Sequence, residues 1–144
     1  MANVVYPTYK SVALSPGLDL VTGSTLKVCL VSTTTGQTNY TYSATHQFFS
    51  SVPTAAILAP GVALTGKAVA SGSLSASSVV LPSVAAPTGA NAAATGQALV
   101  FYNDTGTAAT SQLVAYMDTE TGLPVTPNGA NITINFSGAV LTLS

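Results

Sequence analysis

Ala98-Leu-Val-Phe-Tyr-Asn-Asp-Thr-Gly106, Gln112-Leu-Val-Ala-Tyr-Met-Asp118, Asn131-Ile-Thr-Ile-Asn-Phe136 and Val140-Leu-Thr-Leu143 are the runs whose reading decides the fold. Each is of about strand length and rich in Val, Ile, Leu, Phe, Tyr or Thr, the residues that fit a pleated, half-buried surface. Asn103-Asp-Thr-Gly106, Asp118-Thr-Glu-Thr-Gly122 and Pro127-Asn-Gly129 separate them, and their Asn, Asp, Pro and Gly favour turns. Asn128-Gly129 takes positive φ at low cost. Read in order, Gln97 to Ser144 is an antiparallel β-meander.

Outward from that stretch, Thr25 to Ser32 is the strongest strand. Leu26, Val28 and Leu30 are apolar, and so are the alternate Cys29 and Val31, which predicts burial on both faces and a central place in a sheet. Val62 to Val69 and Ser78 to Val84 are further strands, and Pro82 puts the second at an edge or a bulge. Tyr40-Thr-Tyr-Ser43 is a short segment of strand type. Thr45 to Pro53 suits one helical turn, capped by Thr45, with Phe48, Phe49 and Val52 turned inward. Ala85 to Gly96 is low in complexity and reads as the longest loop, with a disordered linker as the alternative.

At the N-terminus, Tyr6, Tyr9, Val12 and Ala13 fall at helical spacing, and Pro16-Gly17 would stop a short helix. An extended arm fits the same residues. Val4, Val5, Tyr6 and Tyr9 are candidate contacts with a neighbouring subunit, the alternative being that they pack on the chain's own core. The expected fold is mainly β: an antiparallel β-sandwich or jelly-roll-like domain spanning 1–144, with 1–17 as an N-terminal arm or short helix.

A chain of 144 residues is long enough to bury one core without a metal or disulfide. Only 5% of it is charged: Lys10, Lys27 and Lys67 against Asp19, Asp104, Asp118 and Glu120, with no arginine. Soluble domains usually carry about 25%, so this surface is made mainly of Thr, Ser, Asn, Gln, Gly and Ala. Such a surface suits a protein that works packed against neighbours, although hydroxyls can also keep a Thr-rich β protein in solution. Near-zero net charge without arginine argues against nucleic acid as a partner, because that binding draws on cations neutralising phosphates. No stretch approaches the apolar length of a membrane span, and the first ten residues lack the pattern of a secretory signal. Cys29, the single cysteine, lies in an apolar run and reads as a buried, inert thiol from a reducing compartment.

The chemistry-bearing residues are sparse. A nucleophilic hydrolase would have to be built on His46 alone, with no Gly-x-Ser-x-Gly turn to present a serine. A glycosidase needs two carboxyls facing a cleft, and three of the four acids lie in turns, where carboxylates cap backbone N–H groups. Asp118 and Glu120 alternate in a Gly-terminated turn, where backbone carbonyls could join them around a Ca²⁺, yet two acids are few for affinity. No residue is therefore assigned a catalytic, cofactor-binding or metal-binding role, no cofactor is implied, and an enzyme is not expected.

Asp19-Leu-Val-Thr-Gly-Ser-Thr-Leu-Lys-Val-Cys-Leu-Val31, Tyr40-Thr-Tyr-Ser-Ala-Thr-His-Gln-Phe-Phe-Ser-Ser-Val-Pro53 and the stretch from Ala98 to Asp118, followed by Gly122-Leu-Pro-Val-Thr-Pro-Asn-Gly129, together resemble a family of small structural proteins of tailed bacteriophages. The shared order is an N-terminal helix, a central strand, a short Phe-containing element and a C-terminal hairpin. The chain departs from that pattern at Pro7, at His46-Gln-Phe in place of a more acidic form, and in its lack of charge. The resemblance implies a virion component made in the host cytoplasm: a capsid decoration or cement protein bound to the major capsid protein on the outside of the shell. It would act as a homo-oligomer, with a homotrimer as the expected form, without nucleic acid or membrane. The alternative is a tail, neck or head-fibre module that binds a host glycan, with Tyr40, Tyr42 and Tyr102 as aromatic platforms.

Overall fold

The computed structural model describes residues 3–14, 20–22, 25–136 and 138–143. It is mainly β, with antiparallel sheets arranged in a β-sandwich-like fold and one short N-terminal α-helix. The strands are β1 (Val4–Val5), β2 (Leu26–Ser32), β3 (Ile57–Ala63), β4 (Ala68–Ala70), β5 (Ser73–Ser75), β6 (Val79–Leu81), β7 (Gly96–Asn103), β8 (Gln112–Met117), β9 (Ile132–Ile134) and β10 (Leu141–Thr142), and the helix is α1 (Pro7–Ala13). Five strands form the main sheet in the order β1-β8-β7-β2-β3; β10-β5-β4 and β6-β9 make two smaller sheets.

The main sheet is built on β7 and β8, whose register pairs Val100 with Tyr116 and Phe101 with Ala115. β2 joins the other edge of β7, with Cys29 opposite Val100 and Val28 opposite Phe101. Because side chains alternate across a strand, Cys29, Val100 and Tyr116 share one face while Val28, Phe101 and Ala115 share the other. Both faces are covered. On the first lies the segment around Tyr40, Tyr42 and Phe49; on the second, Phe101 meets Phe136, and Ala115 and Met117 approach Val140 and Leu141. This double cover is why the apolar runs of β2, β7 and β8 do not alternate with polar residues: almost every side chain in them is buried. β2 is internal as expected, although β7 occupies the middle of the sheet.

The meander expected over Gln97 to Ser144 is only half right. Its first two runs make the β7–β8 hairpin, but β9 pairs with β6 and β10 pairs with β5. The free edge of β8 is already taken by β1, with Val4 opposite Tyr116 and Val5 opposite Ala115, so no edge is left for β9. The chain instead crosses to the other layer, exchanging two backbone hydrogen bonds between Gly96 and Val125 and then meeting Val84 through Gly129 and Ala130.

Other boundaries shift for local reasons. The strand expected from Val62 to Val69 starts earlier, at Ile57, and breaks after Ala63, where Gly66 has a positive φ of 59° and a turn leads into β4. β6 is the core of the expected Ser78 to Val84 strand and ends just before Pro82. Tyr40 to Ser43 is not a strand: Tyr40 N–H donates to the Ser32 carbonyl, and the segment then leaves the ladder. The helical turn near Phe49 is a 3-10 turn over Phe49–Ser51 that follows an extended Phe48, so Thr45 does not cap it. Val52 is buried as expected, whereas Phe48 and Phe49 are only half-buried. Within the long loop, Gly89–Asn91 forms a 3-10 turn, and Asn91 accepts a hydrogen bond from the Thr38 backbone. Pro7 opens α1, at the position where its missing N–H costs nothing. The expected stop at Pro16-Gly17 lies outside the described residues.

Candidate functional site

The N-terminal segment is docked by the residues singled out as subunit contacts, and the structure places them in the chain's own body. Tyr6 and Tyr9 are buried in the core, the packing named above as the alternative to contact with a neighbouring subunit. Val4 and Val5 are half-buried and hydrogen-bonded along β8. Tyr6 N–H continues that ladder by donating to the Val114 carbonyl.

Around Tyr6 the fold gathers a polar aromatic cluster on the first face of the main sheet. The Tyr6 and Tyr40 hydroxyls are 2.6 Å apart, and the Tyr40 hydroxyl is 3.0 Å from His46 Nδ1. Tyr42 lies between Tyr6 and Tyr116, with ring centroids at 5.2 and 5.5 Å, tilted as quadrupoles favour. Thr8 Oγ1 donates to the His46 carbonyl, tying the start of α1 to the same loop. Burial raises the Tyr6 hydroxyl far above the ordinary tyrosine range, helped by its hydrogen bond to Tyr40. Tyr40 is also raised, by burial, although its bond to Tyr6 acts in the opposite direction. Tyr116 is pushed up to about 12, by burial first and then by the charge of Asp118. His46, which had no partner nearby in sequence, thus ends a three-member hydrogen-bond chain. Nothing in the sequence marks that chain, since Tyr6 and Tyr40 are 34 residues apart.

Tyr102 lies on the same face, stacked under Phe49 and covered by Gly61 of β3. A shallow recess there is bounded by Phe49, Ile57, Pro60 and Tyr102. Tyr40 and Tyr102 are buried and Tyr42 is half-buried. The three rings therefore form no exposed platform for a sugar, which removes the feature that motivated the glycan-binding reading.

The acidic residues behave as turn and strand-end groups. Asp104 Oδ1 accepts from Gly106 N–H, and Asp104 Oδ2 lies 2.6 Å from Lys27 Nζ. These contacts, the lysine first, hold its carboxyl below the usual range. Asn3 Oδ1 accepts from the backbone N–H groups of Asp118 and Thr119, and Asn3 Nδ2 reaches Glu120. Among the described residues no three His, Cys, Asp or Glu side chains come together as a metal site would require. Asp19 lies outside the described residues. Cys29 is buried in β2, and burial pushes its thiol up to about 12.

The outer surface carries its apolar residues in an uneven way. Leu14 is 90% exposed at the end of α1, Val69 58% on β4, Val80 46% on β6 and Leu143 41% just past β10. Val69 sits opposite the buried Leu74, which in turn sits opposite Leu141, so the apolar stripe of the small sheet runs past the core to its edge strand. All three residues of β4 are exposed, and among the described residues it pairs with β5 alone. Val80 was foreseeable, since it alternates with the buried Val79 and Leu81. A groove of about 390 Å³ separates β1 and Lys10 from Val140, Leu141 and Thr142. No helix among the described residues is long and apolar enough to cross a membrane. No protein-family model matches the chain, and no curated protein shows significant similarity to it.

Proposed function

We propose that this protein is a structural component of a tailed-bacteriophage virion, a decoration or cement protein that binds the outside of the major capsid shell and stabilises it. The observation that carries the reading is the surface: 5% charged residues overall, with Val69 and Val80 exposed on short strands of the two smaller sheets. A face with so little charge loses little on desolvation, because burying an ion costs far more than burying a hydroxyl or methyl group. Repeated over many sites on a shell, even interfaces of about 1,000 Å² would resist internal pressure. The order of sequence motifs shared with small phage structural proteins points the same way. A homo-oligomer, a trimer at three-fold positions, matches the symmetry of the binder to that of its site.

Comparing particles with and without the protein tests the reading. The expected result is that complete particles withstand heat and low salt better, and that the protein is present at hundreds of copies per particle, as shell coverage requires. Equal survival of particles lacking it would overturn the cement role, and three to about a dozen copies would move the protein to a tail or neck.

A further inference from the structure

We propose that the hydrogen-bond chain Tyr6–Tyr40–His46 is an acid-sensitive latch, which holds residues 3–14 against the main sheet and loosens them when His46 takes up a proton. The argument is one of donors and acceptors. Each tyrosine hydroxyl has one proton to give, and a neutral imidazole can accept at one nitrogen. With His46 neutral and accepting at Nδ1, Tyr40 donates to His46 and Tyr6 donates to Tyr40, so both hydroxyl protons are used over the observed 3.0 and 2.6 Å separations.

A protonated imidazole carries N–H at both nitrogens. Nδ1–H then donates to the Tyr40 hydroxyl, which loses its acceptor at His46. Tyr6 and Tyr40 are left with two hydroxyl protons and only their mutual contact to use them in, and both rings are buried. An orphaned buried donor is costly, and the cost falls on the pair that anchors β1 and α1. Withdrawing Tyr6 relieves it, so proton uptake and undocking favour each other.

The titratable groups on the elements packed around His46 are Tyr6, Tyr9 and Lys10 on β1 and α1, Tyr40 and Tyr42 on its own loop, Cys29 on β2, and Tyr116 and Asp118 at the end of β8. Lys10 and Asp118 are the two ionic side chains in that set. Lys10 lines the groove beside Met117 and Val140, and Asp118 N–H binds the Asn3 side chain. With His46 neutral the latch is closed, and with His46 protonated it is released.

Hydrogen exchange of the purified protein at about pH 7.5 and about pH 5 tests this, with protection corrected for the intrinsic pH dependence of exchange. Protection across residues 4–13 is expected to fall about tenfold at the lower pH, while β2 and β7 keep theirs. His46→Gln, whose amide oxygen accepts from Tyr40 without titrating, is expected to abolish the drop. Tyr40→Phe severs the chain and is expected to give weak protection of residues 4–13 at both pH values, with no step between them. Equal protection of the native protein at the two pH values overturns the latch, as does a drop that persists in His46→Gln. Should His46→Gln lose protection in β2 and β7 as well, Tyr40→Phe decides: a surviving step overturns the latch, and its absence supports it.

Discussion

The Phe49 ring stacks on the Tyr102 ring with centroids 3.9 Å apart and planes 14° from parallel. Phe49 belongs to a 3-10 turn outside every sheet, and Tyr102 to β7 in the middle of the main one. The stack therefore clamps a loop onto the strand that organises the fold, and it leaves Tyr102 little freedom to move. At its hydroxyl end Tyr102 is met by Gly61, where any Cβ would overlap the hydroxyl and crowd the ring.

Gly61→Ala is expected to destabilise the protein by about 2 kcal/mol, because the added methyl must displace a ring that is held by the Phe49 stack. Phe49→Leu is expected to cost about 1 kcal/mol through the lost stack. In the double variant the Tyr102 ring is free to swing away, so the sum of the two costs should not be reached. Urea denaturation of the four proteins measures this, and strict additivity would show that the clamp does not couple the two residues.

Cys29 is expected to be unreactive in the folded protein. Its thiol is fully buried and pushed up to about 12, so almost no thiolate exists at pH 8. A thiol reagent at that pH should label the native chain only at the rate of global opening, and label it at once in denaturant. Prompt labelling of the native form would show that β2 is less enclosed than the double cover of the main sheet implies.

Lys27 and Asp104 should contribute a small, pH-dependent increment. The carboxyl is held below its ordinary range in the folded state, so its contribution is present above that range and is lost as the pH falls through the lowered value. Both side chains are partly exposed, so the pair is worth about 0.5 kcal/mol near neutral pH. Lys27→Met is expected to remove that increment and flatten the acid limb of a stability-against-pH curve.

Val69→Lys and Val80→Lys separate folding from assembly. Both positions are open to solvent on strands of the smaller sheets, so each substitution should change stability by about 0.5 kcal/mol or less. Under the cement reading they place a charge in a desolvated interface and should lower the protein's occupancy on particles. Unchanged occupancy for both variants would show that these edges do not face the shell.

Much of the fold was legible from composition and local pattern. The unbroken apolar runs of β2, β7 and β8 announced strands buried on both faces, and Asn103-Asp-Thr-Gly106 announced the turn that joins β7 to β8. The partners of β9 and β10 were not legible, because a strand's sequence sets its faces but not which edge is vacant. That was decided by β1, a two-residue strand near the far end of the chain, occupying the edge of β8.

The same distinction holds for the candidate site. The sequence by itself determined that this is a mainly β protein, poor in charge, whose few titratable groups are spread thinly along the chain; these properties depend only on residue type and near-neighbour spacing. The tertiary structure alone decided that Tyr6, Tyr40 and His46 form one hydrogen-bond chain, and that Tyr6 and Tyr9 are buried in the core. Contacts between residues tens of positions apart arise when sheets close on each other, and no local pattern encodes them.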